Sequence, residues 1–123
     1  MTAVQKKRVL LAEDDASMRK FIEVILVKAG YDVTSAQDGM EAMNAVGENA
    51  FDIVVADAIM PNLSGYELCR LIRAKYAATA IPCIILSGLE SNPSDERFSD
   101  EFLVKDTGLK DNLLEAVARL TRP

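Results

Sequence analysis

Four short apolar runs in this chain of 123 residues each stop at a side chain able to do chemistry, and that repeated ending constrains the fold more than any other feature. Val9-Leu10-Leu11-Ala12 runs into Glu13-Asp14-Asp15, and Phe51-Asp52-Ile53-Val54-Val55-Ala56 runs into Asp57. Cys83-Ile84-Ile85-Leu86 runs into Ser87, and Phe102-Leu103-Val104 into Lys105. Short, nearly continuous apolar runs are the mark of strands buried on both faces. Tyr31 to Ala36 alternates and carries β-branched residues, as a strand nearer the sheet edge would. Between these runs lie segments of helical spacing. One carries Met18, Phe21, Ile22, Ile25, Leu26 and Ala29, and stops at Gly30. Asp38-Gly39 opens a second, with Met40, Met43, Ala45 and Val46 as a weak apolar face. A third turns Leu68 and Ile72 inward, and a last one repeats Leu109, Leu113, Leu114, Val117 and Leu120. Strands alternating with helices imply right-handed βαβ units and a parallel sheet. In such a sheet the carboxyl ends of the strands line the crevice where ligands bind. The pattern therefore predicts one pocket holding carboxylates, a hydroxyl and an ammonium.

Composition removes several function classes. The formal net charge of -5 argues against nucleic acid as a partner, because the phosphate backbone would repel this surface. The apolar stretches fall well short of a membrane span, and the N-terminus lacks the apolar core of a signal peptide. With no histidine, the chain has no His-based metal site, no Ser-His catalysis and no phosphohistidine of its own. The two cysteines, Cys69 and Cys83, form no CxxC pair and read as reduced, buried thiols of a cytosolic protein. The length suits one domain over residues 1–123, with no repeat and no linker. Residues 88–101 break the rhythm. They are barely enough for a parallel crossover and hold only Leu89 and Phe98 as large apolar residues. The helix expected there, the fourth in order, is short or absent, with Asn92 and Pro93 able to open about two turns at most.

Each site residue alone has an ordinary reading: an acidic helix start, a turn before Pro61, a loop serine, a solvated lysine. Their coincidence at the ends of four strands outweighs those readings. Asp15 alone is assigned to helix capping. Glu13, Asp14 and Asp57 cannot share a crevice cheaply, because like charges raise one another's pKa. A hard divalent cation such as Mg²⁺ resolves the conflict, since it prefers carboxylates, carbonyls and water and binds phosphate oxygens. With Lys105 as a point charge and Ser87 as a donor, the set suits a transferring phosphoryl group, and Asp57 is the plausible nucleophile.

These residues resemble the response-regulator receiver domain over nearly the whole chain. Leu10-Leu11-Ala12-Glu13-Asp14-Asp15 is similar to the family's acidic pair after the first strand. Asp57 with Met60-Pro61-Asn62-Leu63-Ser64-Gly65 resembles its phosphoacceptor and following loop. Ser87, Phe102 and Lys105 match its hydroxyl, switch aromatic and lysine. The resemblance implies a flavodoxin-like, doubly wound, five-stranded parallel sheet in the order 2-1-3-4-5. It implies a bacterial, cytoplasmic two-component phosphorelay rather than an enzyme. A histidine kinase, phosphotransfer protein or small phosphodonor would phosphorylate Asp57. Mg²⁺ would be held by Asp14, Asp57 and the Ile59 backbone carbonyl, with Glu13 acting through water. Ser87 and Lys105 would grip the phosphoryl oxygens, and Ser87 and Phe102 would switch the binding of a downstream protein by a monomer or weak dimer.

Three departures stand out. Asp106 occupies the place of the family's usual proline, with its expected cis peptide. The crossover helix is reduced. Ile59 and Leu89 are apolar where many members are polar, which predicts a long-lived aspartyl-phosphate. The competing readings are a pseudo-receiver that binds partners without phosphate and an Mg²⁺-dependent phosphatase. The phosphatase would want an acid where Ile59 stands. A nucleotide- or flavin-binding role lacks a GxGxxG or P-loop.

Overall fold

A computed structural model describes residues 5–77, 79–88 and 100–122. The elements run β1 (Arg8–Ala12), α1 (Ala16–Lys28), β2 (Asp32–Ala36), α2 (Gly39–Glu48), β3 (Ile53–Asp57), α3 (Gly65–Lys75), β4 (Cys83–Ser87), β5 (Glu101–Val104) and α4 (Leu109–Leu120). The five strands form one sheet in the order β2-β1-β3-β4-β5, and all four pairings are parallel. The flavodoxin-like topology expected from the sequence is the one observed. The helix expected between β4 and β5, and Leu89 with it, lie outside the described residues.

Strand alternation sends side chains to two separate cores. Leu10, Ala12, Val54, Ala56, Cys83 and Ile85 pack with Ala42 and Val46 of α2 and Leu68, Cys69 and Ile72 of α3. Val9, Leu11, Ile53, Val55, Ile84 and Leu86 pack with Ile22 and Leu26 of α1 and Leu109, Leu113 and Val117 of α4. Sandwiching between helix layers is why the central strands read as unbroken apolar runs. β2, at the edge, is mostly half-buried, running from exposed Asp32 to buried Ala36. Two helical faces are narrower than their spacing predicts. Phe21 is 50% exposed and Met40 54% exposed, because each lies on the solvent side of its helix.

Local chemistry sets the helix starts. The Asp15 carboxylate accepts from the Met18 N–H, confirming its capping role, and Asp38 accepts from Glu41 in the same way. Ser64 and Glu67 form a reciprocal capping box at α3. At α4 the Asp106 carboxylate accepts from the Gly108 N–H at 3.0 Å and turns the chain into the helix. The departure from proline is thus filled by a side chain that makes the turn itself, and no cis peptide occurs among the described residues. Gly30, at φ 100°, provides the left-handed stop after α1. Arg73 and the Cys83 N–H both donate to Asp100, which fixes the start of β5 beside β4.

Candidate functional site

The sheet's hydrogen bonding continues one residue past several strand ends, and that continuation assembles the site. The Glu13 N–H donates to Ala36 O at 3.1 Å, Ala58 N–H to Leu86 O at 2.8 Å, and Lys105 N–H to Ser87 O at 2.7 Å. In register, Ala12 lies beside Ala56, Asp57 beside Leu86, and Ser87 beside Val104. Strand ends at one level deliver Glu13, Asp57, Ser87 and Lys105 to one edge, as the sequence predicts.

Lys105 joins the carboxylates. Its Nζ lies 2.8 Å from Glu13 Oε1 and 3.1 Å from Asp57 Oδ1. Glu13 is fully buried, Asp57 half-buried at the mouth, and Asp14 exposed beside them. Ser87 is buried. Phe102 is half-buried and packs against the core layer under α2 and α3. The Ile59 side chain is 70% exposed, one residue beyond the buried Ala58. The structure thus brings Glu13, Asp14, Asp57 and Lys105 together directly, with Ser87 at the neighbouring strand end.

Burial and neighbouring charges shift two groups of the cluster. Burial pushes the Glu13 carboxyl up from 4.5 to about 7, and hydrogen bonding to the adjacent Asp57 carboxylate adds to the rise. Lys105 pulls the other way and does not overcome these effects. For Lys105, burial lowers the pKa, but bonds to Glu13 and Asp57 outweigh it, so the ammonium is held above its ordinary 10.5. Away from the site, the Cys69 thiol is pushed well up by its hydrogen bond with Cys83 and by burial, and both thiols are free and buried, as expected.

Glu13, Asp14 and Asp57 each offer a carboxylate oxygen within 4.8 Å of the others, a spacing suited to one metal ion. Glu13 Oε2 is buried and has no hydrogen-bond partner among the described residues. A buried anionic oxygen of that kind is satisfied either by a proton or by a cation. The all-oxygen donor set fits a hard ion such as Mg²⁺.

The sequence places Gly65 in the loop after Asp57 without its contact with Asp57, and does not single out Arg19. A Cβ on Gly65 would sit 2.3 Å from Asp57 O, so the start of α3 packs against the Asp57 peptide only because position 65 is glycine. The Gly65 N–H donates to Ala58 O at 3.1 Å, closing this loop. Arg19 donates from α1 to the carbonyls of Glu13, at 2.8 Å, and Asp14, at 3.5 Å. A signal for it existed: a cation one turn into a helix, close behind an acidic run.

The family model for the response regulator receiver domain matches residues 9–118. The chain is 41% identical over 125 residues to a gliding motility regulatory protein of Myxococcus xanthus, covering 97% of this chain and 16% of that protein. It spans 44% to 52% of the length of other curated relatives, among them transcriptional and response regulators. Chemotaxis protein CheY4 of Vibrio cholerae superposes with a TM-score of 0.85 at 27% identity, covering 94% of this chain and 99% of that one. Response regulator TrrA of Thermotoga maritima, solved in complex with Mg²⁺-BeF, gives a TM-score of 0.85 at 31% identity, covering 93% and 98%. Strand order, strand-end cluster and family match agree, and this chain belongs to the response regulator receiver domain family.

Proposed function

We propose that residues 1–123 act as one phosphoacceptor receiver unit of a two-component phosphorelay, in which Asp57 takes a phosphoryl group and the charge change switches the binding of a downstream protein. The observation that carries this reading is the convergence on Asp57. Lys105 Nζ lies 3.1 Å from its carboxylate, and Glu13 and Asp14 complete a cation-sized acidic set around it.

Asp57 Oδ attacks phosphorus, the bond from phosphorus to the donor nitrogen or oxygen breaks, and the donor leaves with that electron pair. Because the chain has no histidine, the donor is a histidine kinase, a phosphotransfer protein or a small phosphodonor. Asp14, Asp57 and the Ile59 carbonyl would hold Mg²⁺, with Glu13 acting through water, and the ion would supply positive charge to the phosphoryl oxygens. Lys105 exchanges its carboxylate partners for a phosphoryl oxygen, and Ser87 donates to another. Ser87 moving inward frees space for Phe102 to turn toward the core, which biases a two-state surface. The chain signals rather than turning over a substrate, from the cytoplasm, as a monomer or weak dimer. Among the described residues no helix is long and apolar enough to cross a membrane.

The test is a titration with beryllofluoride and Mg²⁺ of the wild type and of Asp57→Asn. It is read by NMR or calorimetry, because the chain has no tryptophan. Saturable binding that Asp57→Asn abolishes is the expected result. Identical behaviour of the two proteins would replace this reading with a pseudo-receiver, and sustained release of phosphate from an ester would replace it with a phosphatase.

A further inference from the structure

We infer that Arg19 is a positioning residue for the acidic site: its guanidinium holds the β1–α1 loop by its backbone carbonyls and so presets where the Glu13 and Asp14 carboxylates stand. The inference rests on the receiver reading of that site.

The loop must place two like charges side by side near Asp57 before any cation arrives. Free carboxylates would spread apart, since like charges at close range destabilise one another. Three contacts oppose this. The Glu13 N–H is tied to Ala36 O at 3.1 Å, which continues the β1–β2 ladder. The Asp15 carboxylate is engaged by the Met18 N–H at 2.9 Å, which fixes the far end of the loop as a helix cap. Between these anchors Arg19 Nη1 holds the carbonyls of Glu13 and Asp14, at 2.8 Å and 3.5 Å.

The choice of acceptor carries the inference. Arg19 is a half-buried cation bonded to the backbone of two acidic residues, yet among the described residues it forms no ion pair with a carboxylate. It bonds the carbonyl oxygens of Glu13 and Asp14 and leaves the site's carboxylates to Lys105, which engages Glu13 and Asp57. Its own N–H donates to Asp15 O at 2.8 Å, so the first turn of α1 fixes its Cα relative to the loop it grips. A single guanidinium nitrogen, Nη1, reaches both neighbouring carbonyls, and a lysine ammonium on its flexible stem holds such a position less firmly. Groups that orient metal ligands without touching the metal typically change affinity about 10- to 100-fold when removed.

The test turns on a sign. Arg19→Met removes a positive charge beside a cation site, so coulombic repulsion alone predicts tighter Mg²⁺ binding. Positioning predicts weaker binding, by about tenfold, with Arg19→Lys recovering part of the loss. Mg²⁺ affinity is measured by calorimetry for wild type, Arg19→Met, Arg19→Lys and Lys20→Met, the last removing equal charge from the same turn. Amide exchange in the Mg²⁺-free proteins gives a second readout, with faster exchange at Glu13 and Asp14 expected only in Arg19→Met. Unchanged or tighter Mg²⁺ binding by Arg19→Met overturns the inference, as does an equal loss in Lys20→Met. Failure of the wild type itself to bind Mg²⁺ would instead count against the receiver reading.

Discussion

Replacing Glu13 by glutamine removes a buried charge while keeping an acceptor for Lys105, which also retains Asp57 at 3.1 Å. The folded protein holds this carboxyl at about 7, against 4.5 for an ordinary glutamate. Between those two values the folded state keeps a proton that the unfolded chain has released. Stability therefore falls as pH rises through that window, and the loss is complete above about 7. By this linkage the wild type gives up about 2–3 kcal/mol between about pH 5 and about pH 8 that Glu13→Gln does not. Urea unfolding of both proteins in chelator-treated buffer, at several pH values across this range, measures the difference directly. Comparing the two proteins cancels the titrating groups that do not touch Glu13. Curves that fall in parallel, with a constant gap between wild type and Glu13→Gln, would refute the assignment of a buried, proton-holding Glu13. The same proton competes with cations, so Mg²⁺ affinity of the wild type is expected to weaken as pH drops below about 7.

Lys105→Met leaves Glu13 facing Asp57 without their shared cation. It should cost about 3 kcal/mol near pH 8 and less near pH 5, where Glu13 carries a proton, as equilibrium unfolding would register. Gly65→Ala must push the start of α3 off the Asp57 carbonyl, which lies 2.3 Å from the added carbon. A loss of about 1–3 kcal/mol, together with shifted Asp57 amide signals in NMR spectra, is expected. Ile59 is 70% exposed and offers no polar group to orient water. Phosphorylated wild type should therefore lose phosphate slowly and Ile59→Asn on the order of tenfold faster, and a wild-type half-life of seconds would contradict this.

The strand ends were legible in the sequence because burial on both faces leaves only one way to write a central strand. The run before Asp57 and the run before Ser87 are apolar at nearly every position, and the residue that breaks each run must face the crevice. The helix caps at Asp15 and Asp38-Gly39 were legible for a similarly local reason, since a cap is satisfied within three residues. Helix faces were less so. The spacing that includes Phe21 and Met40 does not say how wide a stripe the sheet will cover, and both side chains face solvent.

Sequence alone thus determined the alternation of elements, the parallel sheet, and which side chains stand at its carboxyl edge, because these follow from periodicity and from where each apolar run stops. Only the tertiary structure decided how those side chains meet. Glu13 and Lys105 are 92 positions apart and 2.8 Å from one another in space. Whether a carboxylate there is solvated or sealed, and so whether it titrates near 4.5 or about 7, depends on what packs around it. The grip of Arg19 on the acidic loop and the contact of Gly65 with Asp57 are of the same kind. Each is a distance between elements, and the spacing of residues along a chain does not encode distance across it.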